Sequence, residues 1–263
     1  MKRTTYIIVG LLLTGLVVMS ASIFYYSRAG VSEDEIYMKI TGEMKKTDLP
    51  ECSVLECTEK SGNEWGTVFS RCKLYVRPSG DSSGSIVYPD GWGEYMQLKT
   101  KGDTLMIAFD FSSDKLKSKF KHGSLRLESD SITVYLPSST STFISRMPGL
   151  ETHINDFKRD TLSFAVSGFA EVQHTEVNAL HAVAESLRLE SGKVERLYLD
   201  LDQTRNYSIA TGQFEIDTEY LMASGNCHSQ FSKGECRQVI WMPRTEGARL
   251  DFSINEPMSL SMK

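Results

Sequence analysis

Hydrophobic and polar residues alternate in short runs over most of the chain, and the runs keep returning to small turn residues. The stretches Leu162 to Val172, Leu187 to Val194, Tyr207 to Ile216 and Leu221 to Cys227 each set a strand-like pattern around a Ser-Gly or Thr-Gly corner. Gly168, Gly192, Gly212 and Gly225 mark those corners at roughly 20-residue intervals. Period-two alternation puts Leu162, Phe164 and Val166, then Leu187 and Leu189, then Leu197, Leu199 and Leu201, then Tyr207 and Ile209 on one buried face. Strand-corner-strand units recurring at such an interval predict a single-stranded parallel β-helix, or solenoid; the alternative is an antiparallel β-sandwich with tight hairpins.

Upstream, the same alternation predicts a strand over Trp65 to Val76 and a hairpin of Tyr95 to Thr100 with Leu105 to Phe111 turning at Gly102-Asp103. A second pair is predicted from Leu125 to Leu127 and Ile132 to Leu136 around Asp130. Pro50 to Asn63 reads as an irregular loop, and Arg237 to Met242 and Arg249 to Ile254 as late strands before a loose tail. Glu176 to Glu185 is richer in helix formers, as a single turn or strand entry would be.

One run breaks the alternation. Tyr6 to Tyr26 is uncharged and largely apolar, preceded by Lys2 and Arg3 and followed by Arg28. A helix of that length crosses about 30 Å of hydrocarbon, and the basic pair holds the N-terminus in the cytoplasm. Retention as a single-pass anchor in a bacterial inner membrane is the favoured reading, with the bulk of the chain periplasmic. A cleaved signal peptide, giving a secreted or surface-exposed protein, is the alternative. Glu33, Asp34 and Glu35 ahead of Lys39, Lys45 and Lys46 match a helix dipole, so the segment after the anchor reads as a short helical stalk or an unfolded tether. The expected organisation is a cytoplasmic tip and anchor over 1–28, stalk and irregular linker over 29–64, a β-solenoid over 65–254 and a tail over 255–263.

Setting aside Lys2, Arg3 and Arg28 leaves 26 of the chain's 29 basic residues against 34 acidic ones. An acidic exported part excludes nucleic acid as a general partner. The basic run Lys115, Lys117, Lys119, Lys121 and His122 has the period of a wet strand face or edge. Five cysteines are an odd set for an oxidising compartment. Cys227 with Cys236 is the candidate disulfide, and Cys52 can close locally with Cys57 or Cys72.

Candidate chemistry is sparse. Asp200 and Asp202 are two apart on a predicted strand, so both carboxylates point to one side, and with Glu171 or Glu215 on a neighbouring coil they are the candidates for a carbohydrate-cleaving pair. The competing reading is a solvated acidic face with Arg205 as charge partner. His174 and His181 with Glu176 or Asp160 lack a ligand spacing, and no metal or cofactor motif is present. Tyr88 and Trp92, set among turn formers between Ser79 and Gly93, are the candidate ligand-binding residues because exposed loop aromatics stack on sugar rings or partners.

The segment Leu98 to Ile107, the run Ile132 to Pro137 and the corners Ser167-Gly168 and Ser191-Gly192 resemble the head GIN domain family of Bacteroidetes auto-transporter adhesins, over roughly Val68 to Val239. That resemblance implies an exported β-helical envelope protein without catalytic residues. The corners depart from the family's commoner Gly-Ser-Gly-Asp type at Gly212 and Gly192, and a membrane span stands where a lipoprotein anchor is common. The expected function is non-catalytic, adhesin-like binding or scaffolding of an envelope protein or glycan, of unassigned oligomeric state. A carbohydrate-active enzyme using Asp200 and Asp202 and an envelope sensor acting through a membrane partner are the alternatives.

Overall fold

The computed structural model describes residues 2–29, 37–61, 67–80, 83–114, 116, 125–210, 212–231, 236–254 and 259–262. The chain divides into two units, Met1–Tyr37 and Met38–Lys263. In the first, Lys2–Ala29 forms helix α1. Its Tyr6–Tyr25 portion has a mean hydropathy of 2.5 and no buried residue, so it is long and apolar enough to cross a membrane or serve as a signal sequence.

The second unit is predominantly β, with a curled, half-barrel sheet compatible with a sandwich-like arrangement. It opens with strands where a stalk and a loop were expected: β1 (Tyr37–Ile40), β2 (Met44–Leu49) and β3 (Val54–Ser61). The helix-dipole pattern loses to pairing here. Strand β3 buries Leu55 and Cys57, alternating with half-buried Val54, Glu56 and Thr58. Tertiary contact overrides local propensity in such a segment.

The strand expected from Trp65 to Val76 is broken: β4 (Thr67–Ser70) and β5 (Lys73–Pro78) flank Arg71, whose φ is 63°. Next come β6 (Gly84–Pro89), a 3₁₀ turn over Asp90–Glu94, and the predicted hairpin of β7 (Met96–Lys101) with β8 (Thr104–Phe111). The second predicted pair does not close on itself. Strand β9 (Leu125–Ser129) lies parallel to β4, while β10 (Ile132–Leu136) lies parallel to β5 and antiparallel to β6. The basic run at 115–122 falls almost wholly outside the described residues, as do all five of its basic side chains.

From here the ladders are parallel. Strands β11 (Thr142–Arg146), β12 (Glu151–Asn155), β13 (Lys158–Gln173), β14 (Thr175–Leu189), β15 (Gly192–Asp200) and β16 (Asn206–Ile209) lead to β17 (Phe214–Ala223). Both β11 and β12 pair with β13, on different parts of its length. Then β13 pairs with β14, β14 with β15 and β16, and β15 with β17. Glu176 to Glu185, the helix-former run, is therefore strand. Strand β19 (Cys236–Pro243) extends the ladder beyond β17, and β21 (Ser259–Met262) pairs with β19, so the described part of the tail is an edge strand of the sheet. Separately, β18 (Asn226–Phe231) pairs with β20 (Arg249–Ile254).

Burial follows the pairing. Leu162, Leu180 and Leu197 stack in one row, and Phe164, Ala182, Leu199 and Leu221 in the next, all buried. Each fully buried Leu or Phe stabilises the fold by about 1.5–3 kcal/mol relative to exposure. Outside that core, Lys158 opposes Glu176, Glu176 opposes Lys193, and Lys193 opposes Glu215, an alternating-charge row across four strands.

The predicted corners are only partly glycine corners. Gly192, at φ 148°, is in a region that L side chains rarely adopt, and a Cβ there would meet the Thr175 carbonyl oxygen at 2.1 Å. Gly168 lies buried within β13 at a register shift, where a Cβ would meet the Pro148 carbonyl oxygen at 2.5 Å; close packing, not turning, requires it. Asp156 (φ 67°) and His174 (φ 48°) take the left-handed conformation just before β13 and β14.

Candidate functional site

The residues singled out for binding are core residues. Trp92, in the 3₁₀ turn, is fully buried, donates its indole N–H to Ser129 Oγ at 2.9 Å, and meets Phe109 edge-on with centroids 5.2 Å apart. Tyr88 on β6 is 4% exposed, with its hydroxyl 3.1 Å from Thr47 Oγ1. Turn formers around aromatic residues mark a place where the chain tucks rings inward as readily as one where it displays them. Neither ring offers a face to a ligand.

The paired carboxylates form a corner clamp. Asp200 ends β15 and is buried, whereas Asp202 lies exposed in the turn beyond it. Arg244 donates Nη1 to Asp200 Oδ1 at 3.0 Å and Nη2 to Asp200 Oδ2 at 2.9 Å, and Nη1 also reaches Asp202 Oδ2 at 3.0 Å. Gln203 Nε2 donates to Asp200 Oδ2 at 3.0 Å, and the Ser224 backbone N–H donates to both oxygens of Asp202 at 2.9 Å. Those Ser224 bonds, with Arg244 beside them, hold the Asp202 carboxyl below the usual carboxylate range. A glycosidase acid needs the opposite shift. Arg205, the expected partner, pairs with Glu185 instead, at 3.2 Å. Glu215 pairs with Lys193 at 3.6 Å and Glu171 with His153 at 3.0 Å, so neither joins the aspartates.

The other candidates also separate. His174 lies 3.5 Å from Asp156, Glu176 pairs with Lys158, and Asp160 accepts from Asn178 Nδ2 at 2.7 Å. Among the described residues no group of three His, Cys, Asp or Glu side chains is arranged to hold a metal ion. Cys52, Cys57, Cys72 and Cys227 are free thiols. Burial pushes both Cys57 and Cys72 up to about 12. The Cys236 side chain lies outside the described residues; the backbone sets Cys236 opposite Ile216 and Cys227 opposite Leu250, on different ladders.

Strand pairing assembles what spacing did not reveal. Ile144, Ala165 and Val183 form one cross-strand row over β11, β13 and β14, about 10 Å wide at ordinary strand spacing. They floor a groove of about 520 Å³ that Arg146, Glu185, Asp202 and Arg205 edge with charge. The turn after β15 forms one side, fastened to β14 by the Arg205 N–H donating to the Glu185 carbonyl at 3.1 Å. Arg146 is held by Glu56.

The neighbouring row runs Ser163, His181, Tyr198, Tyr220. The His181 and Tyr198 rings stack at 4.3 Å and 4°, and Tyr198 and Tyr220 at 4.6 Å and 11°. Desolvation, with Arg196 nearby, draws the His181 pKa below the ordinary imidazole value and so favours the neutral ring. Stacked this closely, the rings cover one another's faces. What remains for a ligand is a row of edges carrying phenolic hydroxyl and imidazole nitrogen, which donate and accept hydrogen bonds. No single repeat encodes either row, because each residue comes from a different strand.

A buried His153–Glu171 pair was likewise hidden. His153 Nδ1 is 3.0 Å from Glu171 Oε1, which also accepts from Gln173 Nε2 at 2.9 Å. It extends a row from Tyr75 to Arg188 across four strands.

No family model and no curated protein matches the chain. Several solved structures are similar to it. One, a "putative adhesin" from Bacteroides fragilis, is 14% identical over 86% of this chain and 99% of that one, with a TM-score of 0.41. Another so named, from Parabacteroides distasonis, is 12% identical over 86% and 100%, with a TM-score of 0.36. A "putative lipid binding protein" from Parabacteroides distasonis is 12% identical over 86% and 99%, with a TM-score of 0.36. At such identities and scores a likeness assigns neither family nor ligand.

Proposed function

We propose that the chain is a membrane-anchored envelope protein of the head GIN kind whose exported β-solenoid binds a glycan without cleaving it. In this reading helix α1 is a retained anchor with a cytoplasmic N-terminus, and the parallel ladders from β13 to β21 are successive coils. Pairing of each long strand with the next repeat supports the coil reading. The basic residues ahead of an apolar helix support the orientation.

The observation that carries the function is the groove beside the ring row. An apolar floor with a balanced charged edge and a flanking line of hydrogen-bonding tips suits a polyol chain, which presents apolar C–H faces and hydroxyl edges together. Asp200 and Asp202, clamped by Arg244, supply no proton donor, which weighs against hydrolysis.

Co-sedimentation of the full chain, in detergent micelles, with protease-treated bacterial sacculi tests the reading. Wild type is expected in the pellet and Val183→Glu, which charges the groove floor while leaving the inward face intact, in the supernatant. Equal pelleting of the two, or binding only before protease treatment, refutes a glycan held in this groove. Release of reducing ends that Asp200→Asn abolishes with folding intact establishes the enzyme instead.

A further inference from the structure

A second cavity, of about 320 Å³, lies at the other end of the same strands. It is lined by Ser79 after β5, Ser138 and Ser141 before β11, and Lys158, Arg159 and Thr161 at the start of β13. Arg159 is half-buried with a fixed guanidinium: Nη1 donates to the Thr140 carbonyl at 2.8 Å, and the group sits 4.8 Å above the Phe157 ring. Among the described residues it has no carboxylate partner. Lys158 is taken by Glu176 at 3.0 Å, and Asp160, also on the lining, is turned to Asn178. Desolvation alone, with no neighbouring charge to offset it, draws the Arg159 pKa down. A half-buried cation held rigid and left uncompensated has unused donors for an anion.

The hydroxyls narrow the class. Ser141 donates to the Ser53 carbonyl at 3.2 Å, and Thr161 to Asp160 at 3.2 Å. With their protons committed, those oxygens offer lone pairs to the cavity, which suit ligand hydroxyls and not a bare anion. From Thr161 the exposed side of β13 runs through Ser163 to Ala165 in the groove, about 13 Å at strand rise.

We propose that this cavity is the acid-reading subsite for a saccharide carrying a carboxylate, with Arg159 binding the carboxylate and the serine and threonine oxygens accepting from sugar hydroxyls. The inference rests on the glycan-binding role argued above and adds which glycan: a uronic-acid-containing chain, extending from Arg159 along β13 into the groove.

Calorimetric titration of the full chain in micelles with trigalacturonate, its neutral galactose counterpart and inorganic phosphate tests it. The acidic trimer is expected to bind at least about tenfold more tightly than the neutral one, the scale of a charge-assisted hydrogen bond. Arg159→Gln should remove that preference, bringing the acidic trimer's affinity down to the neutral trimer's, and Arg159→Lys, which keeps the charge but not the fork, should fall between. Unchanged melting temperatures separate these effects from unfolding. Equal binding of the two trimers, or an unaltered preference in Arg159→Gln, overturns the subsite. Inorganic phosphate competing at the trimer's own concentration overturns its saccharide character. If these fail while Val183→Glu still abolishes binding to sacculi, the glycan-binding role stands without this subsite; if both fail, the role falls too.

Discussion

Replacing Arg244 with alanine tests whether the aspartate corner is a structural clamp. Asp200 is 6% exposed and among the described residues would keep only the Gln203 amide and the Asp202 backbone N–H, 3.0 and 3.1 Å away. Breaking a fully buried ion pair costs about 3–5 kcal/mol, because the remaining charge is stranded. The Arg244 side chain is 42% exposed, so water already screens part of the pairing. The expected loss is therefore about 2 kcal/mol. Urea unfolding of the full chain in micelles, followed by near-ultraviolet circular dichroism, measures it. Asp200→Ala with Arg244→Ala should cost less than the two single changes added, since removing the carboxylate relieves the stranded charge. Asp202 adds a pH signature. Its folded pKa lies below the ordinary value, so its stabilisation is present above the unfolded pKa and lost as pH falls through the folded one. The Ser224 N–H bonds, the larger cause of that depression, survive in Arg244→Ala, so both proteins should lose stability on acidification below about pH 4, wild type slightly more. A loss under about 0.5 kcal/mol or strictly additive double-mutant behaviour would refute the clamp.

Two further outcomes check the fold. Gly192→Ala should destabilise the chain by about 2–4 kcal/mol, read by the same unfolding measurement, because it combines a disfavoured φ with overlap on the Thr175 carbonyl; a neutral effect would contradict the close approach of β15 to β14. At pH 8 an aromatic disulfide reagent should leave Cys57 and Cys72 unlabelled in the folded chain and modify them after unfolding, since burial holds both near 12; rapid native labelling would place them outside the core.

The all-β character was legible because period-two alternation survives in the long strands: Leu162, Phe164 and Val166 are buried on β13 as the pattern requires. It failed where burial used atypical residues. Strand β3 alternates through Cys57, a small hydrophobe that an expectation of disulfides reads as loop chemistry. Of the charges read in helix-dipole order, Glu33, Asp34 and Glu35 lie outside the described residues, while Lys39, Lys45 and Lys46 lie on β1 and β2, which pair with β9 and β6, long-range partners that no local rule anticipates. Turn reading had the same weakness. Asp156 (φ 67°) and His174 (φ 48°) take a left-handed backbone as Gly212 (φ 74°) does, so a search for Gly corners finds a rhythm but not every corner.

Site residues fared worse for a geometric reason. A sequence motif reveals a site only when its members are neighbours along the chain, and in parallel ladders neighbours in space are a whole repeat apart. Lys158, Glu176, Lys193 and Glu215 show the consequence. Read singly they are solvated surface charges; stacked, they alternate in sign, with Lys158 3.0 Å from Glu176 and Lys193 3.6 Å from Glu215. Opposite charges directly across a ladder favour this register, and a one-residue slip would also turn the buried Leu180 and Leu197 row outward. The ladder that fixes the core therefore fixes the outer face as well. It brings His181, Tyr198 and Tyr220 into one stack and Ile144, Ala165 and Val183 into one floor. Recognition in such a molecule belongs to rows, and a row becomes visible once register is known.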